Sequence, residues 1–269
     1  MNPSEIAIRV EDVHKSFGSR KILNGVNFEV RAGETLVIMG GSGGGKSTLL
    51  KILIGLLEPD HGRVSLCGQQ ITLVSEDEKN EVRKKFGMLF QSAALFNSKT
   101  IAENVALPLL EHTDLDPDLV RIVVKMKLEL VGLSGLDHLK PYQISGGMKK
   151  RVALARAIAL DPQIVFYDEP GAGLDPITAS VVDRLIMDLT KKLRITSVVV
   201  THEIKSAFRI ADRMILLQQG EVAAFGTPDE FRNSENPYLK QFLEGEVHDT
   251  STLGQDQDRY FYEILGEEF

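Results

Sequence analysis

The chain of 269 residues contains a single cysteine, Cys67. One thiol cannot build an internal disulfide framework or most cysteine-based metal sites, so Cys67 reads as a small core or surface residue. Long apolar runs are missing too: no stretch approaches the roughly 18 apolar residues that a membrane span requires. The opening MNPSEIAIRVEDVH has no apolar signal run, which predicts a soluble, cytosolic chain. Basic charge is also in short supply. The net charge is −7, but residues 245–269 hold seven acids against one Arg, which leaves about −1 for residues 1–244. A neutral body argues against nucleic acid as the main partner. No internal repeat is visible.

What is present is a core-forming composition, 43% hydrophobic and 26% charged, enough for one large or two small globular domains. AIRVEDVH and VNFEV alternate loosely as strands, and ETLVIMG runs apolar into a glycine loop. KSTLLKILIGLLEPD has helical spacing that predicts a helix running to Glu58-Pro59. RVSLC and GMLF read as short strands around a polar helix, SEDEKNEVRKKF, with a Ser cap. From about Ser92 to Leu160 the pattern is helical only, in TIAENVALPLL, DLVRIVVKMKLELVGL and MKKRVALARAIAL. Alternation then resumes with IVFYDE, a Pro-started helix PITASVVDRLIMDLTKKL, the strand ITSVVVTHE and a hairpin RMILLQQGEVAAFG. Continuous apolar strands suit a parallel sheet covered on both faces. The expectation is an α/β core with a helical subdomain inserted at about 92–160, short helices to about Leu243, and an acidic tail. That tail ends in an aromatic cluster, Tyr260, Phe261, Tyr262, Ile264, Leu265 and Phe269.

Gly40-Gly41-Ser42-Gly43-Gly44-Gly45-Lys46-Ser47 fits the phosphate-loop pattern, with an apolar strand entering and a helix leaving. Glycines let backbone N–H groups curl around phosphate oxygens, Lys46 reaches the β/γ-phosphates, Ser47 suits Mg²⁺, and Thr48 lies beside the α-phosphate. This predicts a nucleoside triphosphate site. Asp168 ends a buried strand, at the sheet edge where ligands bind, and a carboxylate there suits Mg²⁺ directly or through water. Glu169, beside it, is placed to polarise an attacking water. His202 and Gln91 close two further strands. An imidazole at a strand end is by itself commonly structural; in this company it reads as a donor to the γ-phosphate, and the Gln91 amide reaches Mg²⁺ or water. A second glycine cradle, Ser145-Gly146-Gly147, opens a helix and also suits an anion. The basic run Lys149-Lys150-Arg151 reads as a solvated helix face.

The order of phosphate loop, Gln91, ISGGM, IVFYDE, GLD and TH resembles the ATP-binding cassette (ABC) ATPases, over residues 5 to about 243. The resemblance implies a phosphate-loop (RecA-like) domain with an inserted helical subdomain and an N-terminal antiparallel β-subdomain. It implies ATP and Mg²⁺ at Lys46, Ser47, Thr48, Gln91 and Asp168, with Glu169 as general base and His202 as switch. Phe17 would stack on adenine, although as a bare sequence feature it would pass for core. Asp175 would lie at a homodimer seam, and Ser145, Gly146 and Gly147 would clamp the nucleotide bound by the partner copy.

Within that family, MLFQSAALFNSKTIAENVALPLLEHT, VKMKLELVGL, EPGAGLDPIT and Met148 in place of the usual Gln are similar to the ATPase of Mla/Mce-type lipid transporters. Gly41 where Pro is common, Ile144 for Leu, and Gly171-Ala172 depart from the general pattern. The resemblance implies a separate integral-membrane permease, an Mce-domain lipid-binding protein, a place on the cytoplasmic face of the inner membrane, and a tail that docks across the dimer. Two alternatives stay open at this point: a cassette for a small polar solute, and a non-transport cassette regulating a soluble partner.

Overall fold

In this computed structural model, which describes residues 5–244, the chain opens with two long strands, β1 (Ile6–Phe17) and β2 (Arg20–Arg31). The apolar β3 (Thr35–Gly40), buried along its whole length, leads into α1 (Lys46–Leu53). Next come β4 (His61–Leu66), β5 (Gln69–Gln70), α2 (Glu76–Arg83) and β6 (Phe86–Leu89). The described residues divide into a unit ending at Arg232 and another beginning at Asn233, which contains a helix over Pro237–Glu244.

The α1 helix is shorter than its apolar spacing predicts. It stops at Leu53, not near Glu58, because Gly55 turns left-handed at φ 66° and the Gly55 and Leu56 N–H groups fold back onto Ile52 (3.0 Å) and Lys51 (2.8 Å) carbonyls. The α2 helix starts as expected: Ser75 Oγ accepts from the Glu78 N–H at 3.3 Å and Glu78 returns the bond to the Ser75 N–H at 2.9 Å.

Between β6 and the next strand the described chain has only helical elements: α3 (Ile101–His112), α4 (Pro117–Leu130), a short 3₁₀ turn, and α5 (Gly146–Ala157). A reciprocal cap between Thr100 and Glu103 starts α3. Then β7 (Ile164–Asp168), α6 (Pro176–Leu193), β8 (Thr196–Val200), α7 (Ile204–Ile210), β9 (Arg213–Gln218), β10 (Glu221–Gly226) and α8 (Pro228–Arg232) complete the first unit.

The strands form two sheets. One is antiparallel, in the order β2-β1-β4-β5. The other has the order β10-β9-β3-β8-β7-β6, parallel except for β10, which pairs with β9 as the hairpin foreseen in the sequence. Parallel pairing explains the uninterrupted apolar runs of β3, β7 and β8, whose side chains are buried on both faces. It also gathers the C-terminal ends of β3, β8 and β7 on one edge, side by side. No helix among the described residues is long and apolar enough to cross a membrane. The acidic tail and its aromatic cluster lie outside the described residues.

Candidate active site

The phosphate loop occupies the turn between β3 and α1. At Gly40, φ is 153° and a Cβ would stand 2.4 Å from the Leu217 carbonyl oxygen, so only glycine passes there. No side chain caps α1, which leaves its leading N–H groups to a ligand. Lys46 Nζ donates to the carbonyls of Gly40 (2.7 Å) and Gly41 (2.9 Å), so the ammonium lies along the loop itself. Burial lowers the Lys46 pKa, against the opposing pull of the Glu169 and Asp168 charges. Gly43, Gly44, Gly45, Lys46, Ser47 and Thr48 line a cavity of about 250 Å³ together with Arg20 and Ile22. Ser42 and Ser47 are exposed. Arg20 belongs to no motif, so nothing in the sequence marks it for this site.

Asp168 closes β7, where burial, then the neighbouring Glu169 charge, raises its pKa. A carboxylate in that setting gains from a cation, and the Ser47 hydroxyl and Gln91 amide oxygen are, like it, hard oxygens of the kind that would suit Mg²⁺.

Glu169 follows in the left-handed region, φ 46°. Its N–H donates to the Val200 carbonyl at 2.8 Å, tying β7 to β8 just below the site. The residue is 9% exposed, and both carboxylate oxygens are engaged. Oε1 lies 2.7 Å from His202 Nδ1, while Oε2 accepts from the Thr201 hydroxyl at 3.1 Å and the His202 N–H at 3.4 Å. Because an ionised carboxylate only accepts, Nδ1 carries the proton in this arrangement. In its neutral form, His202 in this tautomer has no second N–H to donate.

Against the expectation from sequence, the basic run on α5 is not a solvated face, because its middle residue is buried. Lys150 is 5% exposed, and its Nζ donates to the carbonyls of Gln91 (2.6 Å) and Glu169 (3.1 Å). Arg151 caps the end of α4 through the carbonyls of Val131 (3.3 Å) and Gly132 (3.2 Å). The signal was available: Lys150 lies three residues after Gly147 and four before Leu154, on the buried side of the helix. Arg156, further along α5, holds the carbonyls of Ala93 (2.9 Å) and Ala94 (2.7 Å), both left-handed, in the segment after Gln91. The Gln91 side chain is exposed.

Phe17 is 54% exposed, as a stacking platform must be and a core residue is not. Asp175 caps α6, accepting from the Ile177 and Thr178 N–H groups at 3.0 Å and from the Thr178 hydroxyl at 2.5 Å; these bonds, the hydroxyl first, lower its pKa. Ser145 caps α5 through the Met148 N–H at 3.3 Å. Ser145, Gly146 and Gly147 line neither the phosphate-loop cavity nor a second one of about 400 Å³ beside Glu169 and His202. One chain therefore brings together Lys46, Asp168, Glu169 and His202, and leaves the second glycine cradle outside.

A family model described as "ABC transporter" matches residues 23–172. The intermembrane phospholipid transport system ATP-binding protein MlaF of Haemophilus influenzae is 45% identical over 239 residues, 89% of this chain and 90% of that protein. The probable ribonucleotide transport ATP-binding protein mkl of Mycobacterium leprae is 41% identical over 263 residues, 94% of this chain and 76% of the other. Among solved structures, a dimeric ATP-binding cassette in a post-hydrolysis state with ADP and Pi is similar at a TM-score of 0.75 and 34% identity, covering 82% of this chain and 98% of that one.

Proposed function

This chain belongs to the ABC transporter family as an ATP-binding, ATP-hydrolysing subunit, and we propose that it energises a separate membrane permease that moves phospholipids or related lipids between the inner and outer membranes. The observation that carries the lipid reading is the 45% identity to MlaF across nine-tenths of both chains. Exposed Phe96 and Leu110, on and beside the segment after Gln91, are apolar surface of the kind a permease would cover. An Mce-domain lipid-binding protein would complete the assembly at the cytoplasmic face of the inner membrane. The name of mkl supports a second reading, a polar nucleotide-like cargo.

In the proposed cycle two copies sandwich ATP, each phosphate loop facing the partner copy's Ser145, Gly146 and Gly147. Phe17 stacks on the adenine and Asp175 lies at the seam. Ser47, Asp168 and Gln91 would hold Mg²⁺, which would supply neutralisation of phosphate charge. His202 exchanges Glu169 for the γ-phosphate, which frees the Glu169 carboxylate to take a proton from water. The water oxygen bonds to the γ-phosphorus, the bond to the bridging oxygen breaks, and ADP leaves with that electron pair. Positioning and charge stabilisation by Lys46 and the α1 N-terminus do most of the work. Because ADP lacks the group the opposing cradle grips, hydrolysis opens the dimer. A swing from 1:99 to 99:1 between open and closed forms needs about 5.5 kcal/mol, within reach of two nucleotides bound by charge-assisted bonds.

The test is to purify the assembly in detergent and identify bound lipid by mass spectrometry. Co-purification of a polytopic permease with phospholipid above the level of a mock preparation is expected. A permease carrying a polar solute and no enriched lipid would overturn the cargo, and a soluble partner alone would overturn the transport role.

A further inference from the structure

Lys150 has no part in the cycle above, yet it is a buried ammonium placed between two of its acting residues. Burying a charge is costly unless it is well paired, and its partners here are both backbone carbonyls, Gln91 at 2.6 Å and Glu169 at 3.1 Å. The Glu169 partner matters because that residue is left-handed at φ 46°, a conformation costing a non-glycine residue about 1–3 kcal/mol unless its surroundings enforce it. Both peptide groups of Glu169 are fixed: its N–H by Val200 at 2.8 Å, and its C=O by Lys150. Burial lowers the Lys150 pKa, and the Asp168 and Glu169 charges work the other way and favour the ammonium.

We propose that Lys150 is a positioning residue for hydrolysis: it fixes the peptide groups of Glu169 and Gln91 relative to α5, so that the proposed base points at the attacking water only while α5 is seated. The inference rests on the reading of Glu169 given above. It makes the helix that begins at Ser145 part of the geometry of its own chain's hydrolytic centre, in addition to its role toward the partner's nucleotide.

The test compares the full chain with K150M, K150R and K150Q, measuring kcat and KM for ATP, fluorescent-nucleotide binding and thermal melting. A misplacement near 1 Å lowers turnover about 100-fold, so K150M should lose about 10- to 100-fold in kcat while KM and nucleotide affinity stay within about twofold. K150R, which can still donate to both carbonyls, should recover most of the rate. If K150M fails to fold, K150Q, which keeps an amide donor but lacks the reach, carries the same comparison. The double variant K150M/E169Q should be slowed by less than the product of the two single effects, because Lys150 acts chiefly through Glu169. A wild-type kcat in K150M, a change confined to KM, or a double variant slowed by the full product of the two effects would each overturn the proposal. Wild-type turnover in E169Q would overturn the Glu169 assignment, a failure distinct from a normal K150M.

Discussion

The Glu169 carboxylate lies 2.7 Å from His202 Nδ1, with the Thr201 hydroxyl on its other oxygen at 3.1 Å. The group proposed to take a proton from water is thus held in reserve by the group proposed to sense the γ-phosphate.

Replacing Glu169 with Gln keeps the shape of that corner, turns one of its two acceptor oxygens into an NH₂ donor, and removes the basic carboxylate. Nucleotide binding should survive, turnover should fall about 10²- to 10⁴-fold, and ATP should accumulate in closed dimers. Phosphate release, nucleotide retention and sedimentation measure the three effects. Unimpaired phosphate release would exclude Glu169 as the base.

The metal set predicts a separation between binding and hydrolysis. EDTA should stop phosphate release, and added Mg²⁺ should restore it, because the proposed donors at Ser47, Gln91 and Asp168 are hard oxygens of the kind that cation takes. Lys46→Ala should instead lose nucleotide binding by at least about tenfold, since a charge-assisted bond contributes about 1.5–3 kcal/mol. Fluorescent-nucleotide titration with and without Mg²⁺ separates the two. Hydrolysis at the normal rate in EDTA would remove the metal from the scheme.

Packing under the site offers a stability test. A Cβ at Gly87, on β6, would stand 2.0 Å from the backbone oxygen of Ala157 at the end of α5. Backbone against backbone has no rotamer to give, so Gly87→Ala should destabilise by at least about 1–3 kcal/mol. Thermal or urea melting reads this directly, and an unchanged midpoint would show that α5 shifts freely.

Cys67 provides the pH test. Burial pushes its thiol up to about 11, with the nearby Lys85 charge opposing. At pH 8 only about one thiol in a thousand is then ionised, so a thiol reagent should label the folded chain at least about tenfold more slowly than the chain in denaturant. The sign for stability follows. Between the unfolded value near 9 and the folded value near 11, the native state holds the proton and the unfolded chain does not. Stability must therefore fall as pH rises through that window. Equal labelling rates at pH 8 would contradict the shift.

The parts of the fold that were legible in advance obey local rules. An apolar strand, a glycine loop and a helix needed no partner to be recognised, and Asp168, Glu169 and His202 were read from the strands they close. Residues governed by distant contacts were less accessible. Nothing near Arg20 in sequence signals that it borders the phosphate-loop cavity. Gly55 ends α1 early because its backbone turns left-handed, where the apolar spacing of the helix predicts continuation. Lys150 was misread because three adjacent basic residues look like solvent-facing charge, although helical periodicity turns the middle one inward toward carbonyls from two other segments. Phe17 shows the reverse case, an aromatic on a strand that the structure leaves exposed.

The strand order β3-β8-β7 has a further consequence for how the chain matures. Pairings such as Ile38 with Val200 and Asp168 with Val200 join segments far apart along the polypeptide, so the edge holding Lys46, Glu169 and His202 is closed only by contacts of high sequence separation. Such contacts are slow to form, because loop entropy is lost before they stabilise anything. A chain still emerging from synthesis, with its β8 segment not yet made, can own a phosphate loop and both acids and still be unable to burn fuel. That edge is completed late, once β8 has paired between β3 and β7 and has carried Thr201 and His202 to Glu169.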